Sequence, residues 1–166
     1  MDKCQKLILM QGLPCSGKTE YSKRYVKEHG DEKVCIINRD SIRGMLNPIK
    51  WTHDIEQLTK KIKRIAIINS LSMGFTTIID ETNLTKDKLE SYRKYLDFSG
   101  IHNQIEIFVI HVNTPFNTCL LRNRLREDRW RLSEERMQEM HDTMENDIPE
   151  FYKLKIVENV FDIQNN

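Results

Sequence analysis

Four stretches of the chain are apolar almost without interruption: KLILMQ (6–11), VCIIN (34–38), TTIID (76–80) and IEIFVIHV (105–112). They are rich in Ile and Val, and polar residues do not alternate with apolar ones. Strands that read this way are covered on both faces, as in a parallel sheet. A weaker stretch, IVENVFDI (156–163), predicts a fifth strand at one edge. Between these runs the pattern turns helical. Residues 19–29 carry Tyr21, Tyr25 and Val26 and stop at Gly30. Residues 53–73 repeat Ile55, Leu58, Ile62, Ile65 and Ala66 behind Thr52, a favoured N-cap residue. Residues 85–98 place Leu89, Tyr92 and Leu96 on one side, and 115–126 and 133–147 are helical in pattern. Strands alternating with helices predict an α/β fold with a doubly wound parallel sheet of four to five strands.

Composition narrows this picture only a little. A length of 166 residues favours a single domain over 1–166, and 39% hydrophobic with 31% charged residues is ordinary for a globular chain. A net charge of +1 argues against a bulk nucleic-acid coat, so any such binding needs a local patch. Cysteines at 4, 15, 35 and 119 show no metal-ligand spacing and read as reduced thiols. No apolar run approaches the ~20 residues that span a bilayer. A cytoplasmic protein with no membrane partner is the expectation.

The chemistry begins where the first strand ends. Gly12, Leu13, Pro14, Cys15, Ser16, Gly17, Lys18 and Thr19 fit G-x-x-x-x-G-K-[ST] between a strand and a helix. Such a phosphate loop points consecutive N–H groups at an anion, and the helix behind it adds its positive end. Lys18 is placed for the β- and γ-phosphates, and the Thr19 hydroxyl is a natural Mg²⁺ ligand. The prediction is a P-loop NTPase domain that takes ATP and Mg²⁺.

The other strand ends are where ligands meet an open parallel sheet. The second runs into NRDSIRGML. Asp40 there is a candidate general base for an attacking hydroxyl, with Arg43 three residues on to grip a phosphate of the acceptor. An N-cap role for Asp40 is the competing reading. The third ends in IIDETN, where Asp80 and Glu81 point opposite ways in extended backbone. Asp80 is the candidate for Mg²⁺, and Glu81, Thr82 and Asn83 are candidates for acceptor contacts. The stretch LLRNRLREDRWR (120–131) is arginine-rich. Arg122 and Arg126, four apart on one helical face, suit the triphosphate, with a lid expected at about 126–133. A lid arginine, Arg126 first, would stabilise the transferring phosphoryl. Trp130 is open between stacking and packing roles. Lys60, Lys61, Lys63 and Arg64 read as an exposed helix face.

GLPCSGKT, NRDSIR, IIDETNL and LLRNRLRE together, in this order over roughly residues 6–147, resemble the kinase domain of bacteriophage-type polynucleotide 5′-hydroxyl kinases. The resemblance implies a sheet of order 2-3-1-4-5. It implies that Asp40 is the general base for a 5′-hydroxyl, that Arg43 contacts the acceptor phosphate and that Arg126 is the lid arginine. The expected activity is transfer of the ATP γ-phosphoryl to a 5′-OH end of DNA or RNA. The phage enzyme has an aspartate before its TN, where this chain has Glu81, and it carries a phosphatase domain for which 166 residues leave no room. Repair of 3′-phosphate ends would then need a separate phosphatase or ligase, and whether one works beside the chain is not written in the sequence. Kinases of a nucleoside, small metabolite or modified base remain alternatives, as does a slow nucleotide-hydrolysing switch. Oligomeric state is not written in the sequence.

Overall fold

In the computed structural model, the described residues are 5–30, 33–47, 49–101, 105–151 and 159–164. They build five parallel strands, β1 (Gln5–Gln11), β2 (Val34–Ile37), β3 (Thr76–Ile79), β4 (Ile105–Asn113) and β5 (Asn159–Gln164), in the order β2-β3-β1-β4-β5. Six α-helices connect them: α1 (Lys18–Glu28), α2 (Arg39–Leu46), α3 (His53–Ser72), α4 (Lys86–Ser99), α5 (Phe116–Arg124) and α6 (Glu134–Phe151). The α/β class is as expected, and the weak edge stretch does form a strand.

β1 is the centre. It pairs with β3 (Leu7 with Thr77, Leu9 with Ile79) and along its whole length with β4 (Gln5 with Ile105, Gln11 with His111). Leu7, Leu9, Ile79 and Val109 point to one face, against Ile67 and Leu71 of α3 and Leu89, Tyr92 and Leu96 of α4. Ile8, Met10, Ile78 and Val112 point to the other, against Tyr21, Tyr25 and Val26 of α1. Burying both faces is why these strands lack alternation. A third cluster, Leu13, Cys119, Met137 and Met144, seats α5 and α6 beside the phosphate loop.

The phase of α3 differs from the expectation. Its inward positions are Thr59, Lys63, Ile67 and Leu71, while Leu58 and Ile65 face solvent. Lys63 does not belong to an exposed basic face; it is 3% exposed. Arg64 lies over the rings of Tyr95 and Phe98, at 4.7 and 5.1 Å from their centroids. Among the described residues no helix is long and apolar enough to cross a membrane, and Cys15, Cys35 and Cys119 are free thiols.

Candidate active site

The carboxyl ends of β1, β2 and β3 open onto one cleft of about 1060 Å³. Its floor is the loop between β1 and α1. Gly12 sits at φ +147°, and a Cβ there would lie 2.8 Å from the Val112 carbonyl oxygen, so only glycine lets the loop pass β4. Cys15 (φ 64°) and Gly17 (φ 101°), two apart in left-handed backbone, give the loop the form of an anion-binding nest. Gly17 also precedes the first turn of α1, so the positive end of that helix faces the cleft. Thr114 Oγ1 donates to the Ser16 carbonyl at 2.6 Å and anchors the loop to the end of β4.

Pro14, Cys15, Ser16, Gly17, Lys18 and Thr19 line this cleft. Gly12 and Leu13 are buried beneath these lining residues. The Leu13 side chain packs against Cys119 and Met137. What both offer is a carbonyl: Lys18 Nζ donates to Gly12 O at 2.9 Å and Leu13 O at 2.5 Å. Burial pulls the Lys18 ammonium down to about 8, against the opposing charge of Asp80.

Thr19 Oγ1 donates to Asp80 Oδ2 at 2.7 Å. This pair answers which of the two adjacent acids turns toward the phosphate loop. A hydroxyl and one carboxylate are hard oxygen donors that suit Mg²⁺ when phosphate oxygens and waters complete its shell. The residues present therefore fit the ion. Among the described residues no group of three His, Cys, Asp or Glu could hold a metal alone.

Glu81 turns the other way, into a buried ion cluster. Lys63 Nζ donates to Glu81 Oε1 at 2.9 Å and Oε2 at 3.1 Å, and Arg39 Nε lies 3.1 Å from Glu81 Oε1. Glu81 lines the cleft together with Arg39, and with both its oxygens taken up by cations it also holds Arg39 in place. Asn83 is not among the residues that line the cleft. It is 2% exposed, donates to the Met10 carbonyl at 2.7 Å and accepts from the Tyr92 hydroxyl at 3.1 Å, so it ties the β3–α4 turn to the root of the phosphate loop. Thr82 does line the cleft, and its carbonyl accepts the Gly12 N–H at 3.0 Å. Burial pulls Lys63 down to about 8 and holds the Tyr92 hydroxyl well above its usual range.

The far wall is α2. Its N-cap is Asn38, whose Oδ1 accepts the N–H of Asp40 at 2.8 Å and of Ser41 at 3.1 Å. The cap that sequence reasoning offered to Asp40 is thus filled one turn-start earlier, and the Asp40 carboxylate is left to pair with Arg43 at the cleft edge. Arg43 is held from behind by Glu56, through Nε at 3.0 Å and Nη2 at 2.8 Å. Burial alone would raise the Glu56 carboxyl, but the hydrogen bonds and charge of Arg43 hold it below the usual range. Glu56 and Arg39 escaped the sequence reading. The arginine of NRD was the available signal for one; nothing marked Glu56 within its helix.

Arginines close the third side. α5 ends at Arg124, earlier than expected, so Arg126 belongs to the connecting segment and not to the helical face of Arg122. Both line the cleft, with Trp130, Arg131 and Arg136. Arg122 Nη1 donates to the Cys15 carbonyl at 3.3 Å. Asn123 fastens the segment at both ends, donating to the Leu132 carbonyl at 2.8 Å and accepting its N–H at 3.1 Å.

A parallel sheet with a phosphate loop after its central strand, a hydroxyl–carboxylate pair beside it and arginines facing it defines an α/β domain of the P-loop kinase fold. An AAA domain family matches residues 7–146, and the chain belongs to that family. It is 28% identical over 122 residues to the L-seryl-tRNA(Sec) kinase of Methanococcus maripaludis, covering 70% of this chain and 44% of that protein. The chain thus spans under half the length of this curated relative. A chain of the Pnkp1/Rnl/Hen1 RNA repair complex superposes with a TM-score of 0.76 at 17% identity, over 95% of this chain and 48% of that one. A gluconokinase from Sinorhizobium meliloti 1021 superposes with a TM-score of 0.56 at 15% identity, over 98% and 83%. At such identities the structural likeness is one of fold.

Proposed function

We propose that the protein is an ATP-dependent polynucleotide kinase that phosphorylates the 5′-OH of DNA or RNA. The observation that supports this reading is that Asp40 and Arg43 line the same cleft as Lys18 and Thr19. A hydroxyl entering between them attacks the γ-phosphorus in line, Asp40 takes its proton, and the bond to the β–γ bridging oxygen breaks to release ADP. Lys18 and Arg126 meet the charge spread over the transferring oxygens. Mg²⁺, held through Thr19 and Asp80, supplies further neutralisation of the phosphates. Arg43, with Arg39 beside it, faces the acceptor, and guanidinium forks match phosphate oxygens.

A second reading keeps the donor side and changes the acceptor. The 28% relative is a kinase of L-seryl-tRNA(Sec), which favours a hydroxyl carried on RNA away from the 5′ end. Purified protein with γ-labelled ATP, offered 5′-OH DNA and RNA oligonucleotides, seryl-tRNA, free nucleosides and gluconate, separates these. Label in the 5′-phosphate of the oligonucleotides is the expected result. Label only in another acceptor, or equal ATP loss with none, defeats the proposal.

A further inference from the structure

The connection between α2 and α3 is ordered at both ends yet turns apolar side chains to solvent. Asn47 Oδ1 accepts the N–H groups of Ile49 and Lys50, each at 3.0 Å, in an Asx turn. Thr52 Oγ1 caps α3 by accepting the Ile55 N–H at 3.2 Å. Trp51 reaches the Glu56 carboxylate as well, the one that takes Arg43, and helps to hold that carboxyl below its usual range. In spite of these ties Trp51 is 62% exposed, Ile49 in the same connection is 94% exposed, and Met45 in the last turn of α2 is 71% exposed.

An indole seated edge-on beside a carboxylate and exposed to solvent leaves a face for another ring, and every nucleobase has such a face. The ring stands one shared carboxylate away from Arg43, which lines the acceptor wall of the cleft. Exposed Lys50 is its chain neighbour. Cations next to a fixed aromatic ring match a single-stranded nucleic acid, whose phosphates and bases alternate. A second copy of this chain would set the same lysine and arginines against one another.

We propose that Trp51 is a stacking platform for a base of the acceptor strand, the one that follows the nucleotide being phosphorylated. The inference rests on the polynucleotide reading above and extends the acceptor site out of the cleft along α2.

The test measures steady-state kinetics of wild type, Trp51→Ala and Trp51→Phe with a short single-stranded 5′-OH oligonucleotide and with a nucleoside 3′-monophosphate, which has no second base. Trp51→Ala is expected to raise KM for the oligonucleotide about 10-fold. It leaves kcat, KM for ATP and KM for the mononucleotide unchanged, and Trp51→Phe stays within about twofold of wild type. In a Trp130→Phe background Trp51 is the single tryptophan, because the chain has two. Its fluorescence should then quench as oligonucleotide is added. Equal oligonucleotide KM in wild type and Trp51→Ala overturns the inference and leaves the polynucleotide reading intact. So does a Trp51→Phe variant as impaired as Trp51→Ala, since the indole would then act through Glu56. A wild-type dimer in sedimentation that Trp51→Ala abolishes assigns the face to self-association and also overturns it. Wild type that phosphorylates no oligonucleotide at all sinks both readings together.

Discussion

The side-chain amide of Asn38 donates to the main-chain carbonyl of Asp80 at 2.7 Å. Through its oxygen the same side chain caps α2. One residue therefore joins the wall that carries Asp40 to the strand end that carries the Asp80 carboxylate. Asn38→Ala removes the cap and the cross-link together, an expected loss of about 1–3 kcal/mol. For a chain of this size that lowers Tm by roughly 2–12 °C, measurable by thermal melting. Because the two walls lose their common tie, kcat is expected to fall while the Kd for ATP stays within about twofold. An unchanged kcat would mean that α2 holds its place without Asn38.

Asp40→Asn keeps the shape of the side chain and abolishes its basicity. The expected loss in kcat is about 10²–10⁴, with ATP binding preserved. Phosphoryl transfer to the acceptor under single-turnover conditions is the measurement, since it excludes product release. A variant that transfers at the wild-type rate removes Asp40 from the chemistry.

Lys18 is pulled to about 8 by burial. At pH 8.5 it is mostly neutral in the free protein, and triphosphate oxygens beside it favour the ammonium. ATP binding at pH 8.5 should therefore take up protons, and at pH 6.5 this contribution should vanish. Isothermal titration in buffers of different ionisation enthalpy reads the uptake directly. Lys18→Arg, always charged, should show none of it.

Lys63 and Glu81 form a buried pair whose single disruption leaves a charge without its partner. Lys63→Met is expected to cost about 3 kcal/mol, the low end for such pairs, because Arg39 still faces Glu81. Lys63→Met with Glu81→Gln should recover part of this, a coupling visible in a double-mutant cycle of urea melts. The pH dependence has a definite sign. Burial lowers Lys63 to about 8, below its value in the unfolded chain. Below pH 8 both states carry the proton and the cost of burying the charge is fully present. Between pH 8 and 10 the unfolded chain binds more protons, so stability rises with pH. Lys63→Met should lack this part of the rise; a parallel pH profile would place the titration elsewhere.

Much of this site was legible in eight consecutive residues. Gly12 to Thr19 form a local structure whose form depends on left-handed backbone within the loop, so spacing alone announced it. Asp40 and Arg43 were legible as neighbours on one helix turn. Their alternative roles were not separable, because the identity of the cap depends on where β2 stops. It stops at Ile37, and Asn38 takes the position. The arginines that line the cleft were legible as a class but not in register. α5 ends before Arg126, and the cleft still collects both because the chain turns back at Asn123. On α3 the apolar stripe misled: a lysine lies on the buried face since an acid from another element meets it there.

The sequence by itself determined the parallel sheet and the phosphate loop, because strand burial and loop backbone are properties of short contiguous segments. Only the tertiary structure decided which of two adjacent acids serves that loop. Thr19 and Asp80 are 61 positions apart, and Lys63 and Glu81 are 18 apart. Each partner is chosen by how far α1 and α3 approach the end of β3, and packing across the sheet sets that distance, which no local pattern along the chain encodes.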